Sequence, residues 1–166
     1  MEFTTPDLCD AFPDAVHAAA PILRDFGGVR RFAGPIATLR VKDDNARVRS
    51  LLEAPGNGRV LVVDGGGSTR CALLGGNLAA LARDNGWAGV IVHGCIRDSA
   101  EVGGTAVGVR ALATAPMKSG KRGSGEESVP VAFAGIEWIP GQFVYADEDG
   151  LIVAAHDLAA AHGGRP

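Results

Sequence analysis

Two short segments carry the residues best suited to chemistry: Gly75-Gly76-Asn77-Leu78 and Arg97-Asp98-Ser99-Ala100-Glu101. The first reads as the opening of a helix, whose free backbone N–H groups suit an anion. The second follows the apolar run Val90-Ile91-Val92. It offers a planar guanidinium that can grip two oxygens at once, beside a carboxylate that suits a hard divalent cation. Twenty residues separate Gly76 from Arg97, about what one helix plus one strand consume in a compact α/β unit. Both ends can therefore meet at one site. A small 2-oxo acid with a metal ion would satisfy all of these groups.

Structural roles compete for some of the same residues. Asp98-Ser99-Ala100-Glu101 also fits a capping box, with Asp98 as N-cap and Glu101 reaching back to it, and Asn77 after a Gly-Gly turn is an ordinary N-cap. Neither role explains Arg97, which stands where strand ends carry ligands in α/β folds. Cleaving a carbon–carbon bond next to a ketone leaves an electron pair that must flow into an enolate, stabilised by a metal ion with a nearby Arg or replaced by a lysine Schiff base. The three lysines, Lys42, Lys118 and Lys121, lie in polar stretches unsuited to depressing an amine pKa. The metal route is therefore favoured. His17, His93, His156 and His162 show no tight ligand spacing, and His93 alternates with Cys95 along an apolar segment as a core or interface residue would. Asp64, closing an apolar run, either points into the cleft or simply ends a strand.

The elements that must position these groups can be read from the pattern. Leu8, Phe12 and Val16 recur at helical spacing, predicting a helix from about Asp7 to Ala20 that Pro13 splits into two short pieces. Strands are expected at Arg31 to Val41 and Val60 to Asp64, the second a continuous apolar run covered on both faces. A helix from Asn45 to Leu52 ends at Pro55-Gly56. Helix Asn77 to Asn85 stops at Gly86, and strand Gly89 to Ile96 follows, completing a β-α-β unit that starts at Val60. The second half reads as strand-rich, at Val107 to Thr114, Val129 to Phe133, Phe143 to Ala146 and Leu151 to Ala155, with a hairpin turn at Asp149-Gly150. Ser119 to Ser128 resembles a phosphate loop only superficially, because the G-x-x-x-x-G-K-[ST] order is missing. A mobile surface loop is the expectation there. Asp64-Gly65-Gly66-Gly67-Ser68-Thr69-Arg70 invites a dinucleotide or methyl-donor reading, but Arg70 stands where the fingerprint needs its third glycine, so a tight turn suffices.

Composition sets the outer limits. The 166 residues, 46% of them hydrophobic, fit one α/β domain spanning 1–166 with a sizeable core. A net charge of −3 with scattered Arg and Lys provides no field for nucleic acid. Cys9, Cys71 and Cys95 form no C-x-x-C pair, so neither a disulfide framework nor a zinc site is indicated and a reducing cytoplasm fits. Glu2, Asp7, Asp10 and Asp14 exclude a secretory signal, and no stretch approaches the ~20 apolar residues of a membrane span.

The spacing Gly, twenty residues, Arg-Asp, two residues, Glu resembles the pattern of the family joining the metal-dependent 4-hydroxy-4-methyl-2-oxoglutarate aldolases to the regulators of ribonuclease activity A, the RraA-like family. Asp7-Leu8-Cys9-Asp10, Phe26-Gly27-Gly28, the block from Gly58 to Gly67, and Tyr145 to Gly150 extend the resemblance over nearly the whole chain. Gln142 departs from it, since family members often carry Asp in that Pro-Gly-Asp turn. The resemblance implies a three-layer swivelling β/β/α fold and a homotrimer with sites near subunit contacts. It implies that Arg97 grips the substrate carboxylate and oxo oxygen, and that the amides of Gly75, Gly76, Asn77 and Leu78 bind the rest of the pyruvyl group. Asp98 would hold a divalent cation, Mg2+ or Mn2+, through a water-rich shell, and Glu101 would anchor one of those waters. Two activities are implied: a lyase cleaving 4-hydroxy-4-methyl-2-oxoglutarate to two pyruvates and decarboxylating oxaloacetate, or a protein that binds and inhibits ribonuclease E. Similarity along the first 70 residues leans toward the regulators. Regulators can lack the Asp after the Arg, however, whereas this chain keeps Arg97, Asp98 and Glu101 complete, which favours catalysis.

Overall fold

The run Val60-Leu61-Val62-Val63 is buried at every residue, and its side chains go alternately to two cores. Leu61 and Val63 pack with Val90, Val92, Leu74 and Leu78 on one face, while Val60 and Val62 pack with Ile91, Phe32, Ile36 and Trp138 on the other. A strand with period-two side chains between two apolar layers explains this division. The computed structural model describes residues 2–162. In chain order the elements are α1 (Thr5–Ala11), β1 (Val16–Ala18), β2 (Arg24–Asp25), β3 (Phe32–Arg40), α2 (Ala46–Glu53), β4 (Val60–Asp64), β5 (Ala72–Leu74), α3 (Gly76–Asp84) and β6 (Gly89–Ile96). They continue with α4 (Ser99–Gly103), β7 (Gly108–Thr114), β8 (Glu126–Glu127), β9 (Val131–Phe133), β10 (Ile136–Trp138), β11 (Phe143–Asp147), β12 (Gly150–Ala154) and α5 (Ala159–His162).

Strands β3, β4, β6 and β7 lie side by side and parallel; β11, β12 and β1 extend the sheet antiparallel beyond β3, and β2 closes the far edge against β7. Helices α2 and α3 supply the core on one face, and the β9–β10 hairpin covers the other. This is the layered α/β fold expected from the sequence. A third apolar group, Phe3, Leu8, Tyr145, Ile152 and Leu158, seats α1 and α5 on the antiparallel end. There the buried Asp147 caps α1: its carboxylate accepts from the Thr5 N–H at 2.6 Å and the Thr5 hydroxyl at 2.7 Å. Burial pushes the Asp147 carboxyl up, but the Thr5 and Asp149 donors outweigh it and hold its pKa below the usual value.

Two expectations require correction. The helix expected over residues 7–20 ends at Ala11; Phe12 caps it, and Val16–Ala18 is a strand paired with Ile152–Ala154. Val16 matched helical spacing, but Pro13 stops the helix and the free edge of β12 takes the following residues. The loop 119–128 is also held rather than mobile. Gly120 forms a bridge with Asp44, and Glu126–Glu127 pairs with Leu39 and Arg40 of β3. The buried Asp44 carboxylate accepts from the backbone N–H groups of Ala46, Arg122 and Gly123. Burial raises the Asp44 pKa, yet these three amides win and leave it lowered.

Candidate active site

The β5–α3 junction and the end of β6 lie side by side because β5 pairs with β6, and the Arg97 N–H donates to the Leu74 carbonyl at 2.9 Å. The two segments singled out in the sequence therefore converge on one small cavity of about 100 Å³. Gly75, Gly76, Asn77, Leu78, Arg97 and Asp98 all line it.

Gly75, not Asn77, is the N-cap of α3, and Asn77 is the exposed second helical residue. The Gly76 N–H donates to Asp98 Oδ2 at 3.0 Å. Among the described residues none accepts from the amides of Asn77 and Leu78, so two free N–H groups remain at the positive end of the helix. The Leu78 side chain is buried in the core; its contribution to the cavity is its backbone.

Asp98 precedes α4 in the left-handed conformation, φ 53° and ψ 43°, and makes no side-chain cap to its own helix. The capping-box alternative therefore fails. The left-handed turn swings the carboxylate off α4 and onto the start of α3, a backbone conformation that Asp tolerates better than most residues but at some cost in strain. Glu101 does not cap α4 either: its carboxylate lies over Gly76, where an added Cβ would stand 2.3 Å from the Glu101 Cδ. A Cβ at Gly75 would stand 2.8 Å from Asp98 Oδ2. The Gly-Gly pair is thus the floor beneath two carboxylates. Arg97 is exposed; its Nη1 reaches only the Pro116 carbonyl, at 3.5 Å, and no carboxylate of the described residues lies within ion-pair distance.

These donors fit a hard divalent cation. Asp98 keeps Oδ1 without a hydrogen-bond partner, and the Glu101 carboxylate lies over the adjoining Gly76, although Glu101 is not among the residues that line the cavity. The described residues contain no group of three or more His, Cys, Asp or Glu able to enclose a metal. A cation held by Asp98 must accordingly keep most of its water, as Mg2+ does.

Sequence reasoning missed half of the wall. Asn45, Arg49, Lys118, Ser119 and Lys121 also line the cavity, brought there by α2 and by the loop that Asp44 clamps. The alternating Lys118-Ser119-Gly120-Lys121 was a visible signal, but nothing local ties it to Arg97. Asp64 does not reach this cavity: it accepts from the Gly66 N–H at 2.9 Å and faces His93 Nδ1 at 3.2 Å. His93 in turn stacks on Phe133 with centroids 4.6 Å apart, a half-buried packing role. The glycine loop after Asp64 leads into strand β5 rather than a helix and lines a separate groove of about 550 Å³. Cys9, Cys71 and Cys95 are free, and burial pushes all three thiols up in pKa.

The RraA-like family model, Aldolase/RraA, matches residues 5–153. A Burkholderia multivorans protein named "Putative 4-hydroxy-4-methyl-2-oxoglutarate aldolase" is 58% identical over 163 residues, covering 95% of this chain and 99% of its own. The solved RNA-processing inhibitor RraA from Thermus thermophilis is 52% identical with a TM-score of 0.90, covering 94% of each chain. A Geobacillus kaustophilus structure described as S-adenosylmethionine:2-dimethylmenaquinone methyltransferase is also 52% identical, with a TM-score of 0.91 over 95% of this chain and 98% of that one.

Proposed function

The chain belongs to the RraA-like, Aldolase/RraA family, and within it we propose that it is a divalent-metal-dependent lyase. It cleaves 4-hydroxy-4-methyl-2-oxoglutarate to two pyruvates and decarboxylates oxaloacetate to pyruvate and carbon dioxide. One observation carries the reading. Asp98 spends backbone strain to leave its own helix, and it stands beside an Arg97 that has no carboxylate partner among the described residues, in a cavity floored by Gly75 and Gly76.

In this reading the Arg97 guanidinium takes the substrate's C1 carboxylate and C2 oxygen as a fork, and the amides of Asn77 and Leu78 take the rest of the pyruvyl group. Asp98 would hold the cation through Oδ1, and Glu101 would hold one of its waters. When bound, the cation supplies Lewis-acid stabilisation of the developing C2 oxyanion. In the aldol cleavage the C4 hydroxyl would pass its proton to the water that Glu101 holds as the C3–C4 bond breaks. The electron pair of that bond passes into the C2 carbonyl as the pyruvate enolate, and the proton is returned to C3. In the decarboxylation the same pair is left when C4 departs as carbon dioxide. Arg97, already placed on the C2 oxygen, serves both reactions because both converge on one enolate.

The test is pyruvate release from both substrates with Mg2+ or Mn2+ and after exhaustive chelation; full activity without metal would overturn the metal role. The same reading takes the protein to be a cytoplasmic homotrimer, whose neighbouring subunits wall a cavity that is shallow in one chain. A second reading, binding and inhibition of ribonuclease E, draws on the 52% identity to the Thermus inhibitor. It is tested by pull-down with purified ribonuclease E. Methyl transfer draws only on the Geobacillus description, and here the glycine loop opens no helix to receive such a cofactor.

A further inference from the structure

The cavity that holds Arg97 carries more positive charge than one carboxylate substrate end and a single guanidinium require. Arg49, Arg97, Lys118 and Lys121 line it against Asp98, on a chain whose net charge is −3. Arg49 is partly occupied by Glu53 at 3.6 Å. Lys118 has no hydrogen-bond or ion-pair partner among the described residues, and the contact Lys121 makes is a long one, 3.4 Å, to Asn45 Oδ1. Their backbone is nonetheless fixed on both sides. Met117 accepts from the Ala72 N–H at 2.9 Å, Gly120 accepts from the Asn45 N–H at 3.1 Å, and the Gly120 N–H donates to the Asp43 carbonyl at 2.8 Å. Ordered backbone with unpaired cationic ends facing a cavity is the arrangement of an anion-binding wall.

We infer that Lys118 and Lys121 form a second carboxylate subsite, which receives the distal carboxylate of a dicarboxylic 2-oxo acid whose first carboxylate is on Arg97. The inference rests on the proposed site and deepens it, making these lysines the determinants of a preference for dicarboxylic over monocarboxylic 2-oxo acids. In oxaloacetate the distal carboxylate is itself the group lost as carbon dioxide, so the lysines' effect on binding is read with 2-oxoglutarate, whose distal carboxylate does not react.

The test is a calorimetric comparison of 2-oxoglutarate with pyruvate in the presence of Mg2+, using the full chain and the Lys118→Gln/Lys121→Gln variant. The full chain should prefer 2-oxoglutarate, and the double variant should lose about tenfold to a hundredfold of that preference, the lower end applying if solvent screens the lysines. Pyruvate affinity should stay within about twofold, as should both affinities in the control Lys42→Gln, which lies outside the cavity. Each single lysine variant should lose part of the preference, which keeps the test valid if the double variant folds poorly. An unchanged preference in the double variant, or a full chain that does not discriminate, overturns the subsite. A full chain without turnover that keeps a lysine-dependent preference removes the lyase reading and leaves the subsite standing. Normal turnover with a lysine-independent preference does the reverse.

Discussion

Gly76→Ala separates folding from function at the point where the two site segments touch. The atoms nearest the new Cβ all belong to Glu101, with Cδ and Oε2 at 2.3 Å and Oε1 at 2.6 Å. Gly76 is the first residue of α3, and its φ is not positive, so the backbone accommodates Ala without strain. Glu101 is an exposed, flexible side chain that can swing out to solvent. The steric conflict is therefore relieved cheaply, and the gain in helix propensity, up to about 1 kcal/mol, decides the sign of the stability change. The variant should melt at the same temperature as the parent or a few degrees higher. Catalysis should move the other way. If Glu101 orients a water on the cation held by Asp98, expelling it should weaken Mg2+ affinity or turnover by about tenfold to a hundredfold, as for other partners that orient metal ligands. Thermal unfolding, Mg2+ titration and oxaloacetate decarboxylation on one preparation give all three numbers. A variant with unchanged Mg2+ affinity and unchanged rate would refute the placement of Glu101 in the site.

Other outcomes follow from the same structure. Asp44→Ala should destabilise the fold by about 2–3 kcal/mol in urea unfolding, because three backbone amides lose their buried acceptor, and it should free the loop that carries Lys118 and Lys121. Asp44 and Asp147 both have folded pKa values below their unfolded ones. Their stabilising contribution is thus present above about pH 4 and is lost as pH falls through the lowered folded values, so the melting temperature should drop below pH 4 and less steeply in Asp147→Asn. Tyr145 is the single tyrosine, and burial followed by its hydrogen bond to Asp157 pushes it up to about 12. Ultraviolet titration should show no phenolate at pH 10 while the protein is folded, and stability should fall between pH 10 and 12 as the unfolded chain ionises first. Sedimentation equilibrium should give a trimer or a multiple of it; a stable, active monomer would contradict the assembly.

The β4–α3–β6 unit was legible because each element announces itself locally. Val60 to Asp64 and Gly89 to Ile96 are apolar runs, and Gly86 ends the intervening helix with a positive φ of 77°. Chain length allowed Gly75–Leu78 and Arg97–Asp98 to meet, but what brings them together is β5, Ala72–Leu74, which pairs with β6 and is not read from the sequence pattern. What was hidden depends on distant partners. Val16–Ala18 becomes a strand only because β12 lies open beside it, a tertiary preference that overrides helical spacing. The polar loop around Gly120 is ordered by Asp44, and Arg122 and Asp44 lie 78 residues apart. Asp98 to Glu101 matched a capping box by type and spacing, and only the left-handed backbone at Asp98 distinguishes a site from a cap.

The most direct measurement is turnover of oxaloacetate and of 4-hydroxy-4-methyl-2-oxoglutarate by Arg97→Ala and Arg97→Lys beside the parent, with Mg2+ present and the spontaneous rate subtracted. Arg97 is exposed and makes only a long contact to the Pro116 carbonyl, so both variants should fold as the parent does. Arg97→Ala should lose about a hundredfold to a thousandfold in rate, roughly 3 to 4 kcal/mol of transition-state stabilisation. Arg97→Lys should recover little, since a point charge does not reproduce the two-oxygen fork. A parent enzyme that turns over both substrates and an Arg97→Ala variant that keeps the parent rate would contradict the central claim that the cavity between α3 and β6 is where the carbon–carbon bond breaks.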